Sequence, residues 1–199
     1  MKKKVYHTAL KKANVLIPED VERSLNYFEK DGNIAFKYDL TKGMHEKFKS
    51  VDVIYSEISW KAGFKVFKER VGEQPKQKEY EKYLDSVKEV IDKLEVPAFI
   101  TGGRGILKHL NPDDAFPVFL WGSKVELCLF NGAEVPRDRI RNNFEIMSHV
   151  AENFNKGLDF SCGFGNFGKA MQEKGKNFVC SDLNGKCIFY LAKWLMNYK

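Results

Sequence analysis

Apolar residues recur at three- and four-residue spacing over 76–94, where Tyr80, Tyr83, Leu84, Val87, Val90, Ile91 and Leu94 share one face, and this predicts the clearest helix of the chain. Pro97 lies just beyond its end. Weaker stripes predict helices over 19–30 (Val21, Leu25, Phe28), closed by Asp31 and Gly32, over 137–154 (Ile140, Phe144, Met147, Val150) and over 185–196. A basic helix is expected from about Ser59 to Arg70, followed by a polar loop. Short apolar runs predict strands at Asn33–Tyr38, Val51–Ser56 and Val96–Thr101, one carrying Asp159, and one ending in Asp182. Ala115–Leu120 and Lys124–Phe130 read as an antiparallel hairpin, with Pro117 placing the first of them near an edge or at a bulge. Strands separated by helices imply parallel crossovers, so the pattern predicts a three-layer, Rossmann-like α/β fold, mostly parallel, with one antiparallel edge.

Composition narrows the class. The chain has 199 residues, 43% hydrophobic and 14% aromatic, enough for one well-buried domain over 1–199, in which 1–18 forms a basic leader. No apolar run approaches the roughly 18 residues that cross a bilayer, and the N-terminus lacks the apolar segment of a secretory signal, so a soluble, cytoplasmic protein without membrane contact is expected. Cys128, Cys162, Cys180 and Cys187 form no CxxC pair, and Cys162 and Cys180 fall in predicted buried strands, so neither a disulfide framework nor a structural metal is expected. His7, His45, His109 and His149 lie on separate elements and receive no catalytic role. The net charge of +6, with Lys61, Lys65, Lys68 and Arg70 in one cluster and Arg137, Arg139 and Arg141 at a predicted helix start, favours an anionic partner such as nucleic acid. The same residues also fit a solvated basic surface.

The densest chemistry lies between 157 and 183. A strand carries Asp159, a turn follows with Gly163 and Gly165, a helix returns, and a second strand ends in Asp182. Glycines let backbone approach a ligand closely, the following helix aims its amides at that space, and a carboxylate at the second strand end can accept from ribose hydroxyls. This describes a nucleotide-cofactor site. Gly163, Gly165 and Gly168 match GxGxxG literally, so a nicotinamide or flavin site has to be weighed. Against it, Asp159 stands where a carboxylate would repel a pyrophosphate, and a negative charge there suits a cofactor that is cationic at that spot. S-adenosylmethionine, with an ammonium and a sulfonium and no phosphates, has that property.

A second segment, Val51 to Trp60, reads Val-Asp-Val-Ile-Tyr-Ser-Glu-Ile-Ser-Trp. It resembles the strand and tip DVIYADPPW of S-adenosylmethionine-dependent amino-methyltransferases that act on adenine N6 or cytosine N4 in nucleic acids. In that family the cofactor strand reads Asp-Pro-Phe-x-Gly-x-Gly, and Asp159 to Gly165 has the same acidic-to-glycine spacing. Many members are circularly permuted, with the catalytic strand ahead of the cofactor strand, and here 51–60 precedes 158–168 by about a hundred positions. The resemblance implies a permuted class I methyltransferase fold with S-adenosyl-L-methionine as cofactor and DNA or RNA as partner. It implies that Asp159 anchors the methionine amino group, that Gly163, Gly165 and Asn166 border the cofactor, and that Asp182 holds the ribose. Leu183 would pack on the adenine and Asp39 would contact its amino group, although a strand-end Asp also simply caps a turn.

At the tip the family places an Asp or Asn, two prolines and an aromatic ring. The acidic group and a backbone carbonyl accept hydrogen bonds from the exocyclic amine and draw its nitrogen toward a nucleophilic geometry, while the ring stacks on the base. Here Glu57 takes the place of the acid, Ile58 and Ser59 replace the prolines, and Trp60 keeps the ring, so the resemblance gives Glu57, Ser59 and Trp60 the catalytic roles. The expected activity is methylation of an exocyclic base amine. Two alternatives stay open: a methyltransferase-like protein that binds cofactor or nucleic acid without transfer, and a dinucleotide-dependent oxidoreductase. No separate target-recognition domain is evident, so sequence-specific reading would need a partner subunit, or the target is an unpaired or flipped base.

Overall fold

A computed structural model of the chain describes residues 24–58, 77–120 and 123–198. The basic leader, the expected helix from Ser59 to Arg70 with its polar loop, and residues 121–122 lie outside them. The described elements run β1 (Tyr27–Lys30), β2 (Asn33–Lys37), β3 (Val53–Glu57), α1 (Gln77–Leu94), β4 (Ala98–Gly102), α2 (Leu107–Leu110), β5 (Asp114–Leu120), β6 (Ser123–Phe130), α3 (Asn143–Asn153), β7 (Lys156–Asp159), α4 (Asn166–Glu173), β8 (Asn177–Asp182) and α5 (Gly185–Asn197).

The strands form one sheet in the order β1-β2-β8-β7-β3-β4-β6-β5. Strands β2, β8, β7, β3 and β4 are mutually parallel, while β1 runs antiparallel to β2, and β6 antiparallel to β4 and β5. One face packs Ile146, Met147 and Val150 of α3, Phe167 and Met171 of α4, and Ile188, Leu191 and Leu195 of α5 against Tyr55, Phe99 and Leu127. The other packs Leu84, Val87, Val90 and Ile91 of α1, with Leu40 and Phe48, against Ile54, Ile100 and Leu158. The expected three-layer α/β arrangement is the one found.

Three expectations are corrected. Residues 27–30 are strand β1, not the end of a helix over 19–30. Asp31 and Gly32 have φ of 53° and 81°, the two left-handed positions of a tight hairpin turn, and pair β1 with β2 in the register Lys30↔Asn33. The Asp-Gly pair stops a helix and turns a hairpin equally well, and the sheet edge offered by β2 decides between them. Antiparallel pairing therefore occurs at both sheet edges. The second correction is the start of α3, expected at Arg137 and found at Asn143. Asn142 caps it, accepting from the Glu145 amide while the Glu145 carboxylate accepts from the Asn142 amide, a reciprocal capping box. Arg137, Arg139 and Arg141 thus precede the helix instead of opening it, and the amides of Arg139 and Ile140 bond the Pro136 carbonyl. Third, Cys162 lies in the turn after β7, not in a strand, although it is buried like the other cysteines. Pro117 does sit on the edge strand, β5.

The order of strands positions the site. From β3 the chain crosses through α1 to β4 on one side, whereas from β7 it crosses through α4 to β8 on the other. β3 and β7 are neighbours, so their C-terminal ends flank the point where crossovers diverge, the place where open α/β sheets leave a crevice for ligands.

Candidate functional site

Two carboxylates from the strand ends hold the glycine turn in shape. Asp159, the last residue of β7 and 4% exposed, accepts on Oδ1 from the Ser56 hydroxyl of β3 at 2.9 Å and from the Ser161 amide at 3.0 Å. Asp182, the last residue of β8, accepts from the Gly163 amide at 2.9 Å and the Asn184 amide at 2.8 Å. The Cys162 amide donates to the Ser181 carbonyl, and Tyr83 of α1 meets the Ser161 hydroxyl at 2.8 Å. The turn is therefore pinned to three strands and one helix before any ligand arrives.

Glycine is required where the turn enters α4. Gly165 caps that helix at φ 74°, and a Cβ there would meet Leu191 at 2.6 Å. Gly163, at φ 49°, faces open space. Asn166 is the first, exposed residue of α4, and Leu183 is half-buried beside Asp182.

Burial dominates the electrostatics. It pushes the Asp159 carboxyl up to about 8, against the hydrogen bonds from Ser161 and Ser56, and the charges of Glu57 and Asp182 push it in the same direction. Burial also raises Asp182, opposed by the amides of Asn184 and Gly163. At about 8, the Asp159 carboxyl keeps its proton at neutral pH until a cation compensates the charge. A positively charged group beside the turn would therefore be favoured, because it compensates the buried charge.

Glu57 ends β3, next to Asp159, and its Oε1 accepts from Tyr55 OH at 2.9 Å and from Asn143 Nδ2 at 2.6 Å. Tyr55 and Asn143 escaped the sequence reading. Tyr55 was visible as the residue two before Glu57 on the same strand face, whereas Asn143 joins from 86 positions away and left no local signal. Ser59 and Trp60 lie outside the described residues. Ile58 is buried, and its amide bonds the Thr101 carbonyl of β4. Asp39 follows β2 and accepts on one oxygen from the amide and hydroxyl of Thr41, the turn-capping arrangement. The structure thus brings together Asp159, Gly163, Gly165, Asp182 and Glu57 along the parallel strand ends, with Asp39 at the end of β2 on the far side of β8.

Several other arginine and histidine side chains are engaged within the protein. Arg104 is exposed and pairs with the buried Glu126 carboxylate at 3.2 Å, and Arg137 pairs with Asp114 and lies over the Phe116 ring. Ring nitrogens of His45, His109 and His149 engage the Lys47 amide, Asp85 and the Glu134 carbonyl, respectively. Among the described residues no cluster of metal-ligating side chains occurs, and no helix is long and apolar enough to cross a membrane.

No family model matches the chain, and no curated protein is similar to it in sequence. Solved structures do match in shape. M1.HpyAVI superposes with a TM-score of 0.54 at 12% identity, covering 81% of this chain and 97% of its own. Its SAM complex gives 0.52 at 14% identity, covering 82% and 98%. TTHA0409 of Thermus thermophilus, described as a candidate DNA modification methylase, gives 0.53 at 12% identity, covering 82% and 94%. The chain shares the fold of these proteins: a three-layer, mostly parallel α/β sheet with antiparallel strands at its edge.

Proposed function

We propose that the chain is an S-adenosyl-L-methionine-dependent methyltransferase acting on an exocyclic amine of a nucleic-acid base, adenine N6 or cytosine N4. The observation that carries the reading is Asp159: a buried carboxyl, raised to about 8, beside a preformed glycine turn and at the end of the strand adjoining Glu57. The methionine ammonium of S-adenosyl-L-methionine offers the missing positive charge, and the described proteins of this fold include M1.HpyAVI in its SAM complex. When bound, the cofactor supplies an electrophilic methyl group on a sulfonium.

The chain's own residues do the rest. Asp159 takes the ammonium, and Gly163 and Gly165 let the cofactor pass close to the backbone, with Asn166 at its border. Asp182 has both oxygens on backbone amides, and a carboxylate keeps further lone pairs for ribose hydroxyls. Leu183 packs on the adenine, and Asp39 reaches its amino group. Glu57 would accept a hydrogen bond from the substrate amine, whose lone pair is otherwise delocalised into the base, and so draw the nitrogen toward a nucleophilic geometry; the proton that nitrogen sheds on methylation would pass by way of Glu57 to solvent. Ser59 and Trp60, outside the described residues, would take the roles the resemblance gives them, near the amine and against the base. The net charge of +6 draws in an anionic substrate, and a partner subunit supplies sequence-specific reading where it is needed.

Calorimetric titration with S-adenosyl-L-methionine and NAD side by side tests the donor half. Binding of NAD alone would overturn the reading in favour of an oxidoreductase. Transfer of labelled methyl to nucleic acid, sharply reduced by Glu57→Ala, tests the acceptor half. A second reading, cofactor binding without transfer, draws support from the altered tip, with Glu57 hydrogen-bonded inside the protein and Ile58 and Ser59 at the proline positions. Turnover that depends on Glu57 would exclude it.

A further inference from the structure

Glu57 is a long, many-rotamer side chain on a strand end, and a tip without prolines does little to fix it. The fold supplies the constraint from the side. Asn143, the first residue of α3 and 2% exposed, donates from Nδ2 to Glu57 Oε1 at 2.6 Å. Tyr55, 1% exposed, donates its hydroxyl to the same oxygen at 2.9 Å. Burial pushes the Tyr55 phenol well above its ordinary range, so it remains a donor throughout the neutral region. Two donors converging on one oxygen hold that end of the carboxyl group in place.

The Tyr55 ring in turn stacks on Phe167, with centroids 4.9 Å apart and planes 27° from parallel. Phe167 is the second residue of α4, two positions after Gly165. It occupies space that exists only because residue 157 is glycine, where an added Cβ would lie 2.4 Å from the Phe167 ring. The donor-side turn and the acceptor-side carboxylate are therefore joined by one run of packed side chains. We infer that Asn143 and Tyr55 are positioning residues that fix Glu57 for the substrate amine, with the Tyr55–Phe167 stack tying its place to the glycine turn. This rests on the methyl-transfer reading above.

The test uses Tyr55→Phe, which keeps the ring and its stack, and Asn143→Ala, each alone and combined with Glu57→Ala. Probes are S-adenosyl-L-methionine with a labelled methyl and mixed-sequence single-stranded DNA, duplex DNA and RNA. Each single variant is expected to slow single-turnover transfer by roughly ten- to a hundredfold, the scale of a small misplacement of a reacting group. The dissociation constant for the cofactor should stay within about threefold, since Tyr55→Phe keeps the stack on Phe167 and neither side chain is hydrogen-bonded to the turn. In the Glu57→Ala background neither change should have a further effect on residual transfer. Equal losses in both backgrounds, or losses that follow the melting temperature, would overturn the inference. A second readout does not need activity: the Asn143 side-chain amide proton should resonate downfield and move upfield in Glu57→Ala. If the wild-type chain transfers no methyl group, the methyl-transfer reading falls, and this amide signal alone decides whether Asn143 holds Glu57; an unmoved signal refutes it.

Discussion

Replacing Asp159 with asparagine separates its two roles, because the substitution keeps the shape and removes the charge. The amide oxygen can still accept from the Ser56 hydroxyl and the Ser161 amide, which both bond the same carboxylate oxygen in the native chain. In the ligand-free protein the folded-state carboxyl titrates at about 8, against the ordinary value of 3.8. The folded form then holds a proton that the unfolded form has already released, so this group's stabilising contribution is complete below about pH 4 and is lost as pH rises through about 8. The slope is about 1.4 kcal/mol per pH unit while the folded carboxyl is fully protonated, and integration from pH 6 to pH 8 gives a loss of about 2 kcal/mol. Urea unfolding at pH 6, 7 and 8 should show the wild-type chain losing stability relative to Asp159→Asn by about that amount. Parallel pH profiles for the two proteins would refute the reasoning. The ligand-bound counterpart follows from the same proton: an ammonium taking its place should release about one proton per cofactor bound near pH 6.5, read by calorimetry in buffers of different ionisation enthalpy. Asp159→Asn should bind the cofactor more weakly and release none.

Other outcomes follow from single positions. Gly165→Ala combines a left-handed backbone with a 2.6 Å approach to Leu191, and should cost about 2–4 kcal/mol in chemical unfolding and weaken cofactor binding. Asn142→Ala removes the capping box of α3 and should lower stability by about 1 kcal/mol, with little effect on cofactor affinity. All four cysteines are free and buried, and burial pushes the Cys128 thiol up to about 12, so a thiol reagent should label the native protein slowly and all four rapidly in guanidinium. Rapid native labelling would contradict the described packing.

The parallel core was readable from the chain because its signals are local. Apolar runs mark β3, β4 and β8, the last two flanked by glycine or proline, and the helical stripe of α1 is unbroken from Tyr80 to Leu94. The cofactor-type turn was equally plain, since an acidic strand end, two glycines and a second acidic strand end all fall within one strand-helix-strand unit. Where the reading failed, two local answers had similar merit. Asp31 and Gly32 suit a helix stop or a hairpin, and only pairing with β2 selects the hairpin. The arginines before α3 looked helical until the Asn142 cap fixed the first turn six residues later than expected.

What residue order determined, then, was which segments carry the carboxylates and the glycine turn. Tertiary structure decided what surrounds them. β7 and β8 come last in the chain yet insert between β2 and β3, which places Asp159 against Ser56 across 103 positions, while α3 brings Asn143 to Glu57 across 86. The raised Asp159 carboxyl is a product of that assembly, since burial and two neighbouring charges exist only in the folded sheet. Hydrogen bonds and desolvation depend on distance in space, and the sequence records only distance along the chain.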